Sequence, residues 1–340
     1  MDDDKLLPNE LRSLIANGQV VAFVGAGFTK PLGLPSWGEL VEQFYFFCDG
    51  ILITRKEKEL LEEYREQIKQ KEFVTAFGGM RKQVAEADYR MFLTKALDFR
   101  RCEACVNHAV RDRMLTRRTR LLDSPWAGIV TTNLDDYLES KYFPWHVKRV
   151  GDPFLGHVLS LKERFYVKLH GGTDEVSSVM TSEDYAKTYL PGSQAPTVSY
   201  FLNTLMLSYP VVFIGCSLEP RILEIRQTLS QVFSKTLPKA WALMADDKIS
   251  LAKEEQYWRE HHIKIIRYGK TSAGDNHLAV DHFLELTSKC RQESTVDVNR
   301  FASALRDLDE THRGEILASL DAATRAQVNN QLSAFSSPVG

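Results

Sequence analysis

Four short stretches of this sequence end in residue types that could handle a polar, phosphorylated ligand. They are Gly25-Ala26-Gly27-Phe28-Thr29, Thr132-Asn133-Leu134-Asp135, Lys168-Leu169-His170-Gly171-Gly172 and Gly215-Cys216-Ser217. Glycines let a backbone turn sharply and come close to a ligand. N–H groups on a turn that leads into a helix suit a phosphate. The Asn133 amide offers a donor and an acceptor together. His170 can exchange a proton near neutral pH, and Asp135 can add negative charge or fix an orientation. Each stretch also has a plainer reading: a tight turn after a strand, a helix cap at Asn133, a histidine merely hydrogen-bonded at a strand end. The chemistry requires that the chain bring the four together.

The elements around them are arranged to do so. Val20–Val24, Ile129–Thr131, Phe165–Leu169 and Val211–Ile214 are short, apolar and largely β-branched, as buried parallel strands are. Trp145–Val150, Trp241–Met244 and Ile263–Tyr268 supply further strands. Helical spacing runs from Leu7 to Asn17, where Gly18 ends it, and from Trp37 to about Cys48, with Ser36 as cap and Glu39 in the first turn. A chain hand-over to a helix is expected at Thr29, another helix near Asp135, and a capped start at Thr181-Ser182-Glu183-Asp184-Tyr185. Strands alternating with helices predict an α/β, Rossmann-like, doubly wound parallel sheet. In such a sheet the carboxyl ends of the strands line one crevice, so Gly25, Thr132, His170 and Gly215 converge.

From Arg55 to Leu122 no strand is legible, and the spacing predicts a helical lobe inserted at about residues 51–125. Arg111, Arg113, Arg117, Arg118 and Arg120 crowd its end, as a solvated helix face or as a contact surface for a protein or nucleic acid. Beyond Cys290 the pattern turns helical: Val298, Phe301, Leu305 and Leu308; then Ile316, Leu317 and Leu320; then Val328, Leu332 and Phe335. The expected organisation is a nucleotide-binding domain over 1–290 and a helical C-terminal extension over 291–340.

Composition narrows the function. A net charge of -2 over 340 residues disfavours a general nucleic-acid or anionic-membrane binder. No apolar run spans a bilayer, and Met1-Asp2-Asp3-Asp4-Lys5 is no signal core, so a cytoplasmic protein is expected. Five cysteines make no disulfide framework; Cys102 and Cys105 form one Cys-x-x-Cys pair without the second pair a zinc site needs, so no metal is expected. The ATPase phosphate loop and the Gly-x-Ser-x-Gly elbow are absent. The dehydrogenase fingerprint fails at Lys30, where its third glycine belongs.

Taken in order, these four motifs, with Gly33-Leu34-Pro35-Ser36-Trp37 and Ser182-Glu183-Asp184-Tyr185, resemble the sirtuin family over roughly residues 15–270. They are most similar to the sirtuin-like NAD hydrolase domains of bacterial anti-phage defence systems. The chain departs from sirtuin deacylases in three ways. It lacks their four-cysteine zinc module, it carries Leu34-Pro35-Ser36-Trp37 without the expected Asp and Arg, and Thr132 stands where they have Gln.

The resemblance implies NAD as substrate. Gly25, Ala26, Gly27, Phe28 and Thr29 would hold its diphosphate, Asp135 would contact the nicotinamide side, and Gly215 and Ser217 the adenosine half. Asn133 and His170 would be catalytic. It further implies an NAD glycohydrolase that depletes NAD in defence; such an enzyme must stay off until triggered, so control by assembly with a partner such as an ATPase, or by homo-oligomerisation, is expected. An NAD-dependent deacylase and a non-catalytic NAD- or ADP-ribose-sensing subunit are the alternatives.

Overall fold

The computed structural model describes residues 2–139, 146–152, 155–160, 163–173, 178–189, 197–218, 220–233, 236–269 and 277–290. Beyond these it describes 305, 310–319, 325, 328–329 and 332. Its contacts divide into two units, Met1–Lys289 and Cys290–Gly340.

In the first unit, helices α1 (Asp3–Leu6) and α2 (Asn9–Ala16) precede strand β1 (Val21–Val24). Gly18 closes α2 with a φ of +63°, a left-handed position that glycine adopts without penalty. Six helices follow: α3 (Trp37–Ile51), α4 (Arg55–Lys69), α5 (Phe73–Gln83), α6 (Glu86–Ala96), α7 (Phe99–Cys105) and α8 (His108–Asp123). Strands β2 (Gly128–Thr131), β3 (His146–Arg149) and β4 (Phe165–Lys168) come next, then α9 (Ser182–Tyr189) and α10 (Thr197–Ser208). The remainder is β5 (Val211–Ile214), α11 (Pro220–Phe233), β6 (Ala240–Ala245), α12 (Leu251–His261), β7 (Ile263–Tyr268) and α13 (Leu278–Ser288). No described helix is long and apolar enough to cross a membrane.

Among the described residues seven strands form one all-parallel sheet, in the order β3-β4-β2-β1-β5-β6-β7. The α/β, Rossmann-like architecture read from the sequence is the one observed. β1, β2, β4 and β5 are buried throughout, which is why they read as continuous apolar runs. Their register sets the site. Arg149, Lys168, Thr131, Val24 and Ile214 stand side by side in one row across five strands. Gly25, Thr132, Leu169 and Gly215 therefore leave the sheet together, at one edge. The chain runs from β1 to β2 on one side and returns at β5 on the other, so the strand order reverses there, where such sheets bind ligands.

Three expectations change. The helical lobe begins at Trp37, not about residue 51: Leu40, Val41, Phe44 and Cys48 of α3 join Phe77, Tyr89 and Phe92 in one core. Phe44 centres it, with the Phe77 and Phe92 rings each 4.8 Å away. The lobe also ends before α8, whose contacts are with α13 and with the turn Lys30–Leu32. After β1 the chain makes two short 3-10 turns, Ala26–Phe28 and Lys30–Leu32, and no α-helix starts at Thr29. Pro31 and a left-handed Gly33 (φ +86°) stop the turn from propagating. The helix starts instead at Trp37, under a reciprocal Ser36–Glu39 capping box. Lys30 and Ser36 hold the Glu39 carboxyl down to about 2. Likewise no helix begins near Asp135 within the described residues, for a reason given below.

In the second unit, Glu310–Ser319 is helical, and Leu305 and Val328 are buried with Leu317 and Leu332 packed against them. Val298, Phe301, Leu308, Leu320 and Phe335 lie outside the described residues, as does Trp145.

Candidate active site at the carboxyl edge of the sheet

On the β1/β5 side the turn is built from backbone alone. A Cβ on Gly25 would stand 2.7 Å from Gly215 O, one on Gly27 2.8 Å from the same atom, and one on Gly215 2.5 Å from Phe28 N. Gly215 also takes a φ of +65°. Gly25 N–H donates to Ile214 O at 3.0 Å and Gly27 N–H to Gly215 O at 2.9 Å. Phe28 N–H bonds Gly25 O and Thr29 N–H bonds Ala26 O. Four of the turn's N–H groups are thus used internally. The close approach of two strand ends, more than a row of free donors, is what the glycines provide. Ser217 is exposed.

On the β2/β4 side the loop carries polar side chains. Thr131 Oγ1 donates to Val24 O at 2.8 Å and accepts the Asn133 N–H at 3.0 Å, fixing the exit from β2. Asn133 is buried; its Nδ2 donates to Thr29 Oγ1 at 3.5 Å, and Thr29 Oγ1 donates to Asp135 Oδ2 at 3.3 Å. With Nδ2 turned to Thr29, Asn133 Oδ1 is left buried without a hydrogen-bond partner among the described residues. Such an atom is costly unless something completes it. Asp135 Oδ1 accepts the Tyr137 N–H at 3.1 Å. Burial pushes the Asp135 carboxyl up to about 6, against the opposing charge of Lys168.

Lys168, the last residue of β4, is fully buried, and its Nζ donates to Leu134 O at 3.3 Å and Asp135 O at 3.0 Å. Those are carbonyls that a helix would spend on its own N–H groups. With them taken, and the Asp135 carboxylate bonded to its own loop, the segment stays irregular. That is why the expected helix is missing.

His170 lies two residues beyond β4. Leu169 N–H donates to Thr131 O at 2.9 Å, binding the two strand ends together. His170 O accepts the Val179 N–H at 3.0 Å, and Gly171 makes the turn with a φ of +74°. The buried imidazole places Nε2 3.0 Å from Tyr189 Oη and meets the Tyr185 ring nearly edge-on at 5.4 Å. Both tyrosines come from α9, whose start is fixed by Asp184 accepting from the Thr181 N–H and hydroxyl at 2.8 and 2.7 Å. Tyr189 is a residue that sequence reasoning misses. Its only signal there is a tyrosine pair at i, i+4 on a capped helix just after the histidine.

The arginines of α8 are bonded within the fold. Arg117 is buried, bonding Asp281 of α13 at 2.5 and 2.9 Å and Phe28 O at 3.1 Å. Arg113 also bonds Asp281, Arg120 pairs with Glu285, Arg111 bonds Glu103 O, and Arg118 bonds Tyr137 O at 3.2 Å. The cluster ties α8 to α13 and grips both the glycine turn and the Asp135 loop from behind. Helical spacing within α8 alone does not disclose partners more than a hundred residues away.

Cys102 and Cys105 line a cavity of about 510 Å³ between α3, α6, α7 and the segment Leu32–Pro35. Neither Asn133 nor His170 lines it, so it does not mark the cluster described above.

Residues 127–266 match the family model described as SIR2-like domain. That match takes in β2 to nearly the end of β7, with Asn133, Asp135, His170 and Gly215, but not β1 or the glycine turn. It supports the sirtuin-like superfamily and an NAD-related function. No curated protein matches the chain.

Proposed function

We propose that the protein is an NAD glycohydrolase, with Asn133 and His170 as its catalytic residues. The observation that carries this reading is the buried Asn133 Oδ1, unpartnered among the described residues, with its amide orientation set by Thr29. It stands at the strand end next to the one that carries His170. An acceptor held ready at that position suits a ribose hydroxyl or an attacking water.

Cleavage of the nicotinamide–ribose bond sends the bonding pair to the ring nitrogen and leaves oxocarbenium-like charge on the sugar, as in glycoside hydrolysis. Nicotinamide leaves neutral, so no strong general acid is required. Water adds to the sugar carbon, and its proton passes to His170 and then to solvent. NAD and water give nicotinamide, ADP-ribose and a proton. Asn133 orients the hydroxyl or the water. Asp135 places negative charge near the nicotinamide side, and Thr29 holds Asn133 and Asp135 in one relay. Gly25 to Thr29 and Gly215 to Ser217 take the diphosphate and adenosine. NAD depletion in anti-phage defence is the role this activity would serve, under control of self-assembly or a partner.

The test is incubation of the full chain with NAD alone, with free nicotinamide measured. Release without any acylated peptide is expected. Release only when an acylated peptide is added would favour a deacylase, and tight NAD binding without turnover would favour a sensing subunit.

A further inference from the structure

We propose that Lys168 is a positioning residue: its buried ammonium clamps the loop after β2 so that Asn133 and Asp135 are presented in one fixed arrangement. The inference rests on the reaction proposed above and names a residue that does not touch the reacting atoms.

The geometry is specific. An ammonium has three donors. Here they go to Leu134 O, Asp135 O and Asp136 Oδ1, at 3.3, 3.0 and 2.8 Å. Glu139 Oε1 lies 2.9 Å away as an ion pair whose geometry falls short of a hydrogen bond. Every one of these partners belongs to residues 134–139. The other Glu139 oxygen accepts from Arg149 Nη2 of β3 at 2.6 Å. Two neighbouring strands therefore staple one loop through its backbone and its carboxylates. An apolar side chain at the end of β4 would satisfy burial at lower cost than a desolvated ion. What the lysine adds is a single geometry for the loop.

Its charge has a second consequence. The groups facing Asp135 are the Thr29 hydroxyl from the glycine turn, Lys168 and Tyr166 from β4, Asp136 and Tyr137 from its own loop, and Cys102 from α7. Burial raises the carboxyl, and Lys168 is the foremost group opposing it. Without the ammonium, Asp135 holds its proton to higher pH.

The experiment compares Lys168→Met, Lys168→Arg and the double variant Lys168→Met with Glu139→Gln, which removes the carboxylate that the single change would strand. Hydrogen–deuterium exchange is followed over 133–139, and nicotinamide release is measured across pH. The methionine variants should exchange about ten-fold faster or more at 133–139 while β1 keeps its protection. They should lose about 100-fold in kcat with KM for NAD moved less than about three-fold, and the acid limb of the pH profile should shift upward. Lys168→Arg should restore the limb, because it restores charge, without restoring kcat. Wild-type exchange and kcat in a folded methionine variant, or an unshifted acid limb, overturns the proposal. If the wild type releases no nicotinamide, the reaction has failed and exchange alone decides the clamp. If neither methionine variant folds, Lys168→Arg decides it: unchanged exchange at 133–139 overturns the clamp.

Discussion

Where β1 and β5 end, three glycines meet backbone to backbone, and the turn is shaped by side chains that are missing. Where β2 and β4 end, Thr131 and Lys168 stand in the same row of the sheet with Asn133, Asp135 and His170 just beyond them, all buried and hydrogen-bonded to one another's segments. The first side tolerates no added atom. The second is set by charge and hydrogen bonds. Shape and charge are thus divided across one edge, and substitutions on the two sides should fail in different ways.

Gly215→Ala should produce the largest loss of stability. Its Cβ meets Phe28 N at 2.5 Å, and its φ is +65°. Left-handed strain and overpacking together cost on the order of 4 kcal/mol, readable as a lowered denaturant midpoint at unchanged m-value.

On the polar side, Asp135→Asn should do the opposite. Burial raises the Asp135 carboxyl from 3.8 to about 6, so above that pH the fold holds an ion that the unfolded chain ionises at lower cost. On this account the wild type loses stability progressively as pH rises from 3.8 to about 6, and loses none below that window. Asparagine keeps the acceptor for the Tyr137 N–H and removes the ion, while giving up the acceptor for the Thr29 hydroxyl. The variant should be more stable near neutral pH by up to about 3 kcal/mol, with the gap closing as pH falls, while nicotinamide release drops. A melting series across pH checks the sign.

Gly33→Ala sharpens the contrast most gently. Gly33 has a φ of +86°, but a Cβ there would meet nothing within 4 Å. It should cost only about 1 kcal/mol, which isolates backbone strain from the clash suffered at Gly215.

Much of this division was legible in the sequence. Continuous β-branched runs ending in Gly25, Thr132 and Gly215 pointed to the parallel strands, and Ser36 with Glu39 marked the start of α3. The sheet's register then did what no local pattern shows, aligning Val24, Thr131, Lys168 and Ile214 in one row. What escaped was long-range. The partners of Lys168 show only in the folded chain, and no helix begins at Asp135 among the described residues because Lys168 takes its carbonyls. Arg117 reads as part of a solvated run until Asp281 and Phe28 O are placed beside it. Such pairings depend on elements that meet only in the folded chain.

The most direct test of the central claim is nicotinamide release by Asn133→Ala and His170→Ala beside the wild type, with melting temperatures measured on the same preparations. The wild type should hydrolyse NAD, and each variant should lose about 100-fold or more of the rate while its melting temperature stays near that of the wild type. Full release surviving either substitution in a folded protein would contradict the assignment of the site.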